Sequence, residues 1–222
     1  MIDDEGSVGL QRCPAYRPDA VSEAVIREAF DRTRWSPCWR GLRGWHIWVL
    51  EGEVLEGFKE ELTRSLLADS PASPELDGPD RAWPELCLAR TARLMAVREE
   101  TAAMEHLEGG REEKLSRLGR LFGAPCLMVY GVDCRTAGTQ GCLDSGAFVH
   151  SMCEAAHAEG LDTCVLATAV RYPELLHKIL PDEAHRLFVV GVAVGYPEDE
   201  DTATARYPGE PADFRELVSW VE

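Results

Sequence analysis

The stretch "RWSPCWRGLRGWHIWVLEG", from Arg34 to Gly52, decides how the rest of the chain is interpreted. Its second part, "WHIWVLEG", alternates well enough to predict a β-strand. Its first part carries three arginines, two tryptophans and a cysteine before that strand. Such a segment is either a ligand-binding loop or a basic, aromatic segment that packs on the rest of the protein. The neighbouring sequence is needed to distinguish the two.

Helical and strand patterns continue on both sides of this stretch. Residues 22–34 place apolar side chains on one helical face, with Ser22 positioned to cap the first turn. A second helix is predicted at about residues 53–67. No glycine-rich turn of the dinucleotide-binding or P-loop type is present, which disfavours those nucleotide sites. Further core strands are predicted at "APCLMVYGV", "DTCVLATAV" and "RLFVVGVAVGYP", and helices at "LDSGAFVHSMCEAAHAEGL" and "YPELLHKIL".

Length and composition favour one large domain over residues 1–222. The chain has 222 residues, of which 45% are apolar and 28% charged. A run rich in Pro, Asp and Ser opens a helical excursion at about residues 70–120, which either covers a site as a lid or packs outside the core. A C-terminal extension at about residues 198–222 is too small to fold alone, so we expect it to pack on this subunit or on another.

Charge and cysteine usage exclude several classes of protein. A net charge of −16 argues against binding the phosphate backbone of nucleic acids. No apolar run approaches the roughly 20 residues that span a bilayer, and the start lacks a signal sequence, so we expect a cytoplasmic protein with no membrane partner. None of the eight cysteines forms a C-x-x-C pair, which favours reduced thiols over disulfides or a metal site.

The opening stretch resembles a segment of the nitroreductase family. In that family Ser/Ala-Pro-Ser, two variable residues, Asn, one variable residue and Gln-Pro-Trp precede a strand, and Ser36, Pro37 and Trp45 keep this pattern. The segments "FGAPCLMVYGVD", "LDSGAFVHSMCEAAHAEGLDTCVLATAV" and "PELLHKILPDEAHRLFVVGVAVGYPEDED" follow in the order of the family. The resemblance implies an α+β nitroreductase-like fold, with a central mixed, mostly antiparallel sheet flanked by helices, in an intertwined homodimer.

The same resemblance implies a flavin enzyme. Members of the family hold flavin mononucleotide (FMN) at each of two subunit interfaces and pass hydride from NAD(P)H through the flavin to a nitro compound, quinone or other small acceptor. The cofactor carries the chemistry, so no catalytic side chain and no metal are predicted. The alternative is a dimer of this fold that has lost flavin and binds another small ligand without redox activity.

The family places its flavin phosphate against stretches near both chain ends. "RCP", residues 12–14, and "RYP", residues 206–208, correspond to these stretches, although Pro14 stands where the family has serine. We expect Arg12 and Arg206 to hold the phosphate, because a doubly charged group needs cationic donors. Cys13 and Cys38 are either packing residues or thiols activated by nearby arginines.

The flavin ring is contacted by the opening stretch and by two later segments. Gly41 and Arg43 replace the family's Asn and Gln, so Arg40 and Arg43 either donate to the flavin carbonyl oxygens or stack on Trp39 or Trp45. Asp144 is either a polar flavin contact or a helix N-cap, and the backbone of residues 165–168 passes near the flavin N5. The implied cofactor-binding residues are Arg12, Cys13, Pro14, Cys38, Arg40, Gly41, Arg43, Asp144, Val165, Leu166, Ala167, Thr168 and Arg206.

Overall fold

The computed structural model describes residues 15–76, 84, 85, 87–93, 96, 110–135, 138–180, 185–198 and 218–221. The chain divides into two compact units, one of residues 1–78 and 109–206 and one of residues 79–108 and 207–222. In the second unit, residues 87–93 are helical. A single domain with an excursion at about 70–120 and an extension from about 198 stays a prediction.

A four-stranded sheet forms the centre of the first unit. Its strands are β1 (Trp45–Glu51), β2 (Cys126–Asp133), β3 (Asp162–Leu166) and β4 (Arg186–Gly195). They lie in the order β1-β2-β4-β3, and all three pairings are antiparallel. The described residues therefore supply the antiparallel part of the predicted sheet, with β1 and β3 at its two edges.

In the described part of the first unit, five α-helices cover both faces of this sheet. Their bounds are α1 Glu23–Thr33, α2 Gly52–Leu67, α3 Gly110–Gly119, α4 Gly138–Ala158 and α5 Pro173–Ile179. Helices α1 and α4 contact each other on one face, whereas α2 contacts both α3 and α5 on the other. The fold is thus α+β, as predicted. Within the part that the structure describes, none of the helices could span a membrane.

Helix α1 begins where its sequence predicts. The Ser22 hydroxyl accepts a hydrogen bond from the Val25 amide, which confirms the predicted cap. The apolar face of the helix then packs towards the sheet, with Ala29 fully buried. At the other end the Arg34 amide donates to the Phe30 carbonyl, and the chain enters the opening stretch.

The core has two layers because alternate residues of β2 point to opposite faces of the sheet. Leu127 and Val129 pack with Trp48 and Phe188 on one side, and Met128 packs on the other. The first side also holds Leu55, Phe58 and Leu62 of α2, and the second holds Phe148 and Met152 of α4. Full burial of such side chains contributes about 1.5–3 kcal/mol each.

Segment 70–76, the first part of the predicted excursion, is fixed to the first unit. The Glu75 carboxylate accepts a hydrogen bond from the Phe188 amide at 2.7 Å and lies 2.7 Å from His177 Nε2. The Tyr172 hydroxyl donates to the Ser70 carbonyl at 3.1 Å. These contacts tie the segment to β4 and to the start of α5.

Two sequence predictions need correction. Helix α4 begins at Gly138, five residues before the predicted Leu143, so Asp144 lies inside the helix and its interpretation as an N-cap is wrong. Strand β3 ends at Leu166, and "ATAV" forms a 3₁₀ turn. Packing against β4 explains why β3 ends at Leu166. A Cβ on Gly191 of β4 would lie 2.4 Å from the Ala169 Cβ, so the absence of a side chain at Gly191 lets the 3₁₀ turn cross the sheet.

Candidate functional site

The segment between α1 and β1, residues 34–44, is here called the arginine loop. It contains a 3₁₀ turn at Trp39–Gly41, and three of its residues have left-handed backbone: Arg40 (φ 51°), Gly41 (φ 69°) and Arg43 (φ 45°). A side chain with a Cβ adopts that region at a cost of about 1–2 kcal/mol. The surrounding contacts must therefore hold Arg40 and Arg43 in place.

Hydrogen bonds to α1, β2 and α4 fix this loop. The Asp144 carboxylate accepts from the Trp39 amide at 2.8 Å, which satisfies a donor at the start of the 3₁₀ turn. The Asp133 amide donates to the Gly44 carbonyl at 2.8 Å, and the Ser36 amide donates to the Thr33 carbonyl at 2.8 Å. Asp144 thus joins α4 to the arginine loop, a role that sequence reasoning missed because no local pattern links residues 105 positions apart.

The exposed surface of this loop is cationic and aromatic. The Arg40 guanidinium lies 4.7 Å from the centre of the Trp39 ring, which confirms one of the two predicted stacking arrangements. Arg34 pairs with Asp31 at 3.3 Å, whereas among the described residues neither Arg40 nor Arg43 has a carboxylate within 4.0 Å. Two guanidiniums are therefore available to an anionic or carbonyl ligand.

Trp45 belongs to the core rather than to this surface. Its ring stacks on Phe148 of α4, with 4.0 Å between centroids, and meets Phe30 of α1 edge-on. The predicted alternative of an arginine stacked on Trp45 is not seen among the described ring contacts. Cys38 lies half-buried at the start of the 3₁₀ turn as a free thiol.

The predicted contact segment 165–168 lies at the other edge of the sheet. Val165 is half-buried and Leu166 buried, whereas Ala167 is exposed and Thr168 half-buried. Among the residues that the structure describes, no side chain caps the 3₁₀ turn at Leu166, so the first amides of the turn have no acceptor within it. This backbone can therefore donate hydrogen bonds to a ligand beside Ala167 and Thr168.

The arginine loop and segment 165–168 of one chain are far apart. The loop leads into β1, and segment 165–168 ends β3, at the opposite edge. Three strand spacings separate these edges, or about 14 Å. The single chain therefore does not bring the two predicted ring contacts together.

The segments at residues 15–17 and 196–198 run side by side. Tyr16 forms an antiparallel bridge with Pro197, the Arg17 amide donates to the Tyr196 carbonyl at 2.9 Å, and the Glu198 amide donates to the Ala15 carbonyl at 3.0 Å. The predicted phosphate residues lie just beyond these segments in sequence. Arg12, Cys13, Pro14 and Arg206 are outside the described residues.

Three buried groups of the core, the thiols of Cys126 and Cys153 and the hydroxyl of Tyr130, are unsuited to catalysis. Burial raises the pKa of Cys126 from 9.0 to about 12, with a smaller contribution from the charge of Glu51. Burial also raises the pKa of Cys153, and that of the Tyr130 hydroxyl well above its usual value. All three groups are neutral at physiological pH and act as core residues.

The family model of the nitroreductases matches residues 12–196 of this chain. The chain belongs to the nitroreductase family. This nitroreductase-family chain is 25% identical over 219 residues to a 4-nitrobenzoate reductase of Pseudomonas putida, covering 96% of this chain and 94% of that protein. It is also 23% identical over 222 residues to a 4-nitrobenzoate reductase of a Nocardioides species, covering 96% and 87%.

Solved structures show that this member of the nitroreductase family has the same fold as its relatives. The crystal structure of the FMN-dependent nitroreductase NfnB from Mycobacterium smegmatis, in complex with NADPH, superposes with a TM-score of 0.81. The match covers 97% of this chain and 96% of that one at 19% identity. The family prediction and the predicted α+β nitroreductase-like fold are confirmed, whereas the homodimer stays a prediction.

Proposed function

We propose that this protein is an FMN-dependent oxidoreductase of the nitroreductase type, which reduces a small nitro compound, quinone or similar acceptor with NAD(P)H. The observation that carries the proposal is the antiparallel pairing of the segment at Tyr16, which follows Arg12 in sequence, with the segment at Pro197, which precedes Arg206. In sequence, Arg12 lies three residues before Ala15 and Arg206 eight residues after Glu198, the last paired residues. Membership of the family and its FMN-dependent relatives support the same function.

The chemistry has a simple balance for a nitro acceptor. NAD(P)H, a proton and R–NO₂ give NAD(P)⁺, R–NO and water, so two electrons pass from the nicotinamide to the nitro group. FMN, when bound, supplies the two-electron carrier between donor and acceptor. The protein supplies position and charge, and solvent supplies protons.

The residues of this chain fit the anionic and carbonyl groups of FMN. Arg12 and Arg206 would hold the phosphate, which needs cationic donors in a protein of net charge −16. Arg43 would donate to the flavin carbonyl oxygens and stabilise the negative charge of the reduced ring. The backbone at Ala167 and Thr168 would donate towards the N5 edge, where side-chain identity matters little.

The separation of the ring contacts supports a homodimer. One chain holds the arginine loop and segment 165–168 at opposite edges of its sheet, and in a dimer a second copy would bring its own loop to the first copy's β3 edge. An exposed apolar residue next to the arginine loop supports this arrangement. Leu143, beside Asp144 on α4, is 66% exposed.

The visible spectrum of the purified protein tests the proposal. We expect a yellow protein that releases FMN on denaturation and that oxidises NAD(P)H when a nitroarene is added. Arg12→Ala and Arg206→Ala should each retain less FMN, whereas Arg64→Ala, which removes an exposed arginine of α2, should retain as much as wild type. A colourless protein that takes up no added FMN would disprove the proposal.

A second candidate is a dimer of this fold that binds another small ligand without flavin. Gly41 and Arg43 favour it, because they stand where family members use amides that both donate to and accept from the flavin ring. Pro14 favours the same candidate, because it stands where the family has serine and lacks both the hydroxyl and the backbone donor of that serine. The same spectrum separates the two candidates.

A further inference from the structure

We infer that Arg40 selects aromatic acceptors that carry an anionic group, such as a carboxylate. The inference rests on the proposed function, because it concerns the acceptor of the same site. It assigns to Arg40 a contact with the substrate, and leaves to Arg43 the contact with the flavin.

The first observation is the charge of the arginine loop. The eleven residues 34–44 include three arginines and no acidic residue, in a chain with 39 acidic and 23 basic residues. Asp31 compensates Arg34, which leaves Arg40 and Arg43 without a described carboxylate partner. The chain as a whole repels anions, so an anionic acceptor needs a local cation of this kind.

The second observation is the support of Arg40. Its left-handed backbone (φ 51°) lies in a 3₁₀ turn that Asp144 holds through the Trp39 amide. Its guanidinium stacks 4.7 Å from the Trp39 ring centre, which limits the rotamers of the side chain. A guanidinium stacked on a ring face keeps its edge N–H donors available to a carboxylate, so Arg40 is prepared for a bidentate contact.

The third observation is the aromatic surface beside this cation. Trp39 is 44% exposed and Trp35 is 77% exposed, both in the arginine loop. Indole faces stack with aromatic rings. A cation beside exposed indoles therefore matches an aromatic ring that carries a negative group better than it matches a neutral or aliphatic acceptor.

Two acceptors of the same shape test the inference. 4-Nitrobenzoate and 4-nitrobenzamide share the ring and the nitro group and differ in charge. We expect wild type to prefer the acid, and Arg40→Gln to lower the ratio of kcat/KM for acid over amide by about tenfold, with rates normalised to bound FMN. Arg40→Lys should keep part of the preference, because it keeps the charge but loses the planar stacking.

A matched control and a binding measurement complete the test. Arg64→Gln removes an exposed arginine of α2 that pairs with Glu61, and it should leave the ratio unchanged. Calorimetric titration of the two compounds gives the same comparison without turnover, as a ratio of Kd values. Selective binding of the acid that Arg40→Gln abolishes, in a protein that reduces neither compound, would reject the proposed function but would still show that Arg40 binds the anionic group. Equal losses on acid and amide in Arg40→Gln, or no preference in wild type, would reject the inference and leave the proposed function intact.

Discussion

Cys126 lies at the start of β2, where the sheet packs against the helices. Its side chain is buried, and its pKa is about 12 instead of 9.0. In the unfolded chain the thiol ionises near pH 9, whereas in the folded protein it remains protonated up to about pH 12. Deprotonation therefore favours the unfolded state over this range of pH.

We expect the contribution of Cys126 to stability to disappear as the pH rises from 9 to 12. At one pH unit above the unfolded pKa, wild type should lose about 1 kcal/mol more of its free energy of unfolding than Cys126→Ala does. Urea unfolding of both proteins at pH 8 and pH 10 measures this difference. An equal loss in the two proteins would contradict the expectation.

Gly191 is the residue that allows the 3₁₀ turn after β3 to cross the sheet. A Cβ there would lie 2.4 Å from the Ala169 Cβ and 3.2 Å from Leu127 Cδ1. We expect Gly191→Ala to lower the free energy of unfolding by about 1–3 kcal/mol, because the core is overpacked. The measurement is urea unfolding at neutral pH.

Gly146 provides the control for Gly191, because it lies in α4 and a Cβ there would meet nothing within 4 Å. Gly146→Ala should be neutral or stabilising by up to about 1 kcal/mol, since alanine favours a helix. A Gly191→Ala protein as stable as Gly146→Ala would show that the turn can move away. Ala169→Gly should restore part of the stability lost in Gly191→Ala.

At the scale of elements, helix α4 holds the arginine loop through one side chain. The Asp144 carboxylate accepts a hydrogen bond from the Trp39 amide. Two arginines of the same loop, Arg40 and Arg43, have a left-handed backbone conformation. Removing the acceptor leaves that conformation without its hydrogen bond to α4. The loop should then open more often.

We expect trypsin to cleave after Arg40 and Arg43 faster in Asp144→Ala than in wild type, by about fivefold if the lost hydrogen bond is worth about 1 kcal/mol. Limited proteolysis followed by mass spectrometry measures the rate at each arginine. Asp144→Asn keeps an acceptor oxygen and should lie close to wild type. Equal cleavage in Asp144→Ala and wild type would show that the other contacts suffice.

At the scale of the whole molecule, the order of the strands separates the two predicted ring contacts. Strands β1 and β3 are the edges of one sheet, so the proposed flavin site would need the loop of a second chain. Leu143 lies beside Asp144 and is 66% exposed in the single chain. The proposed homodimer would cover it.

We expect wild type to sediment as a dimer and Leu143→Arg to sediment as a monomer with reduced FMN retention, because a charge would be buried without a partner. Leu67→Arg is the matched control, since Leu67 is a 42% exposed leucine at the end of α2, on the opposite face of the sheet. It should remain dimeric. A dimeric Leu143→Arg protein would place the interface elsewhere.

Elements with strong patterns could be predicted from the sequence, and their boundaries less well. The Ser22 cap and the apolar face of α1 are local features, and β2 is a short apolar run that packs on both faces. The start of α4 could not be predicted from the sequence. Glycines and small residues at 138–146 favour a helix only weakly, and aspartate, as at position 144, is a favoured N-cap residue. Packing against α1 and the sheet decides that boundary.

The sequence by itself determined the family, the α+β class and the cationic, aromatic character of the arginine loop, because residue types and their order along the chain carry this information. Only the tertiary structure decided that Asp144 binds the Trp39 amide, that Arg40 stacks on Trp39 while Trp45 enters the core, and that β1 and β3 form opposite edges. These facts depend on contacts between residues that are distant in sequence or on competition between partners, and no local pattern specifies either.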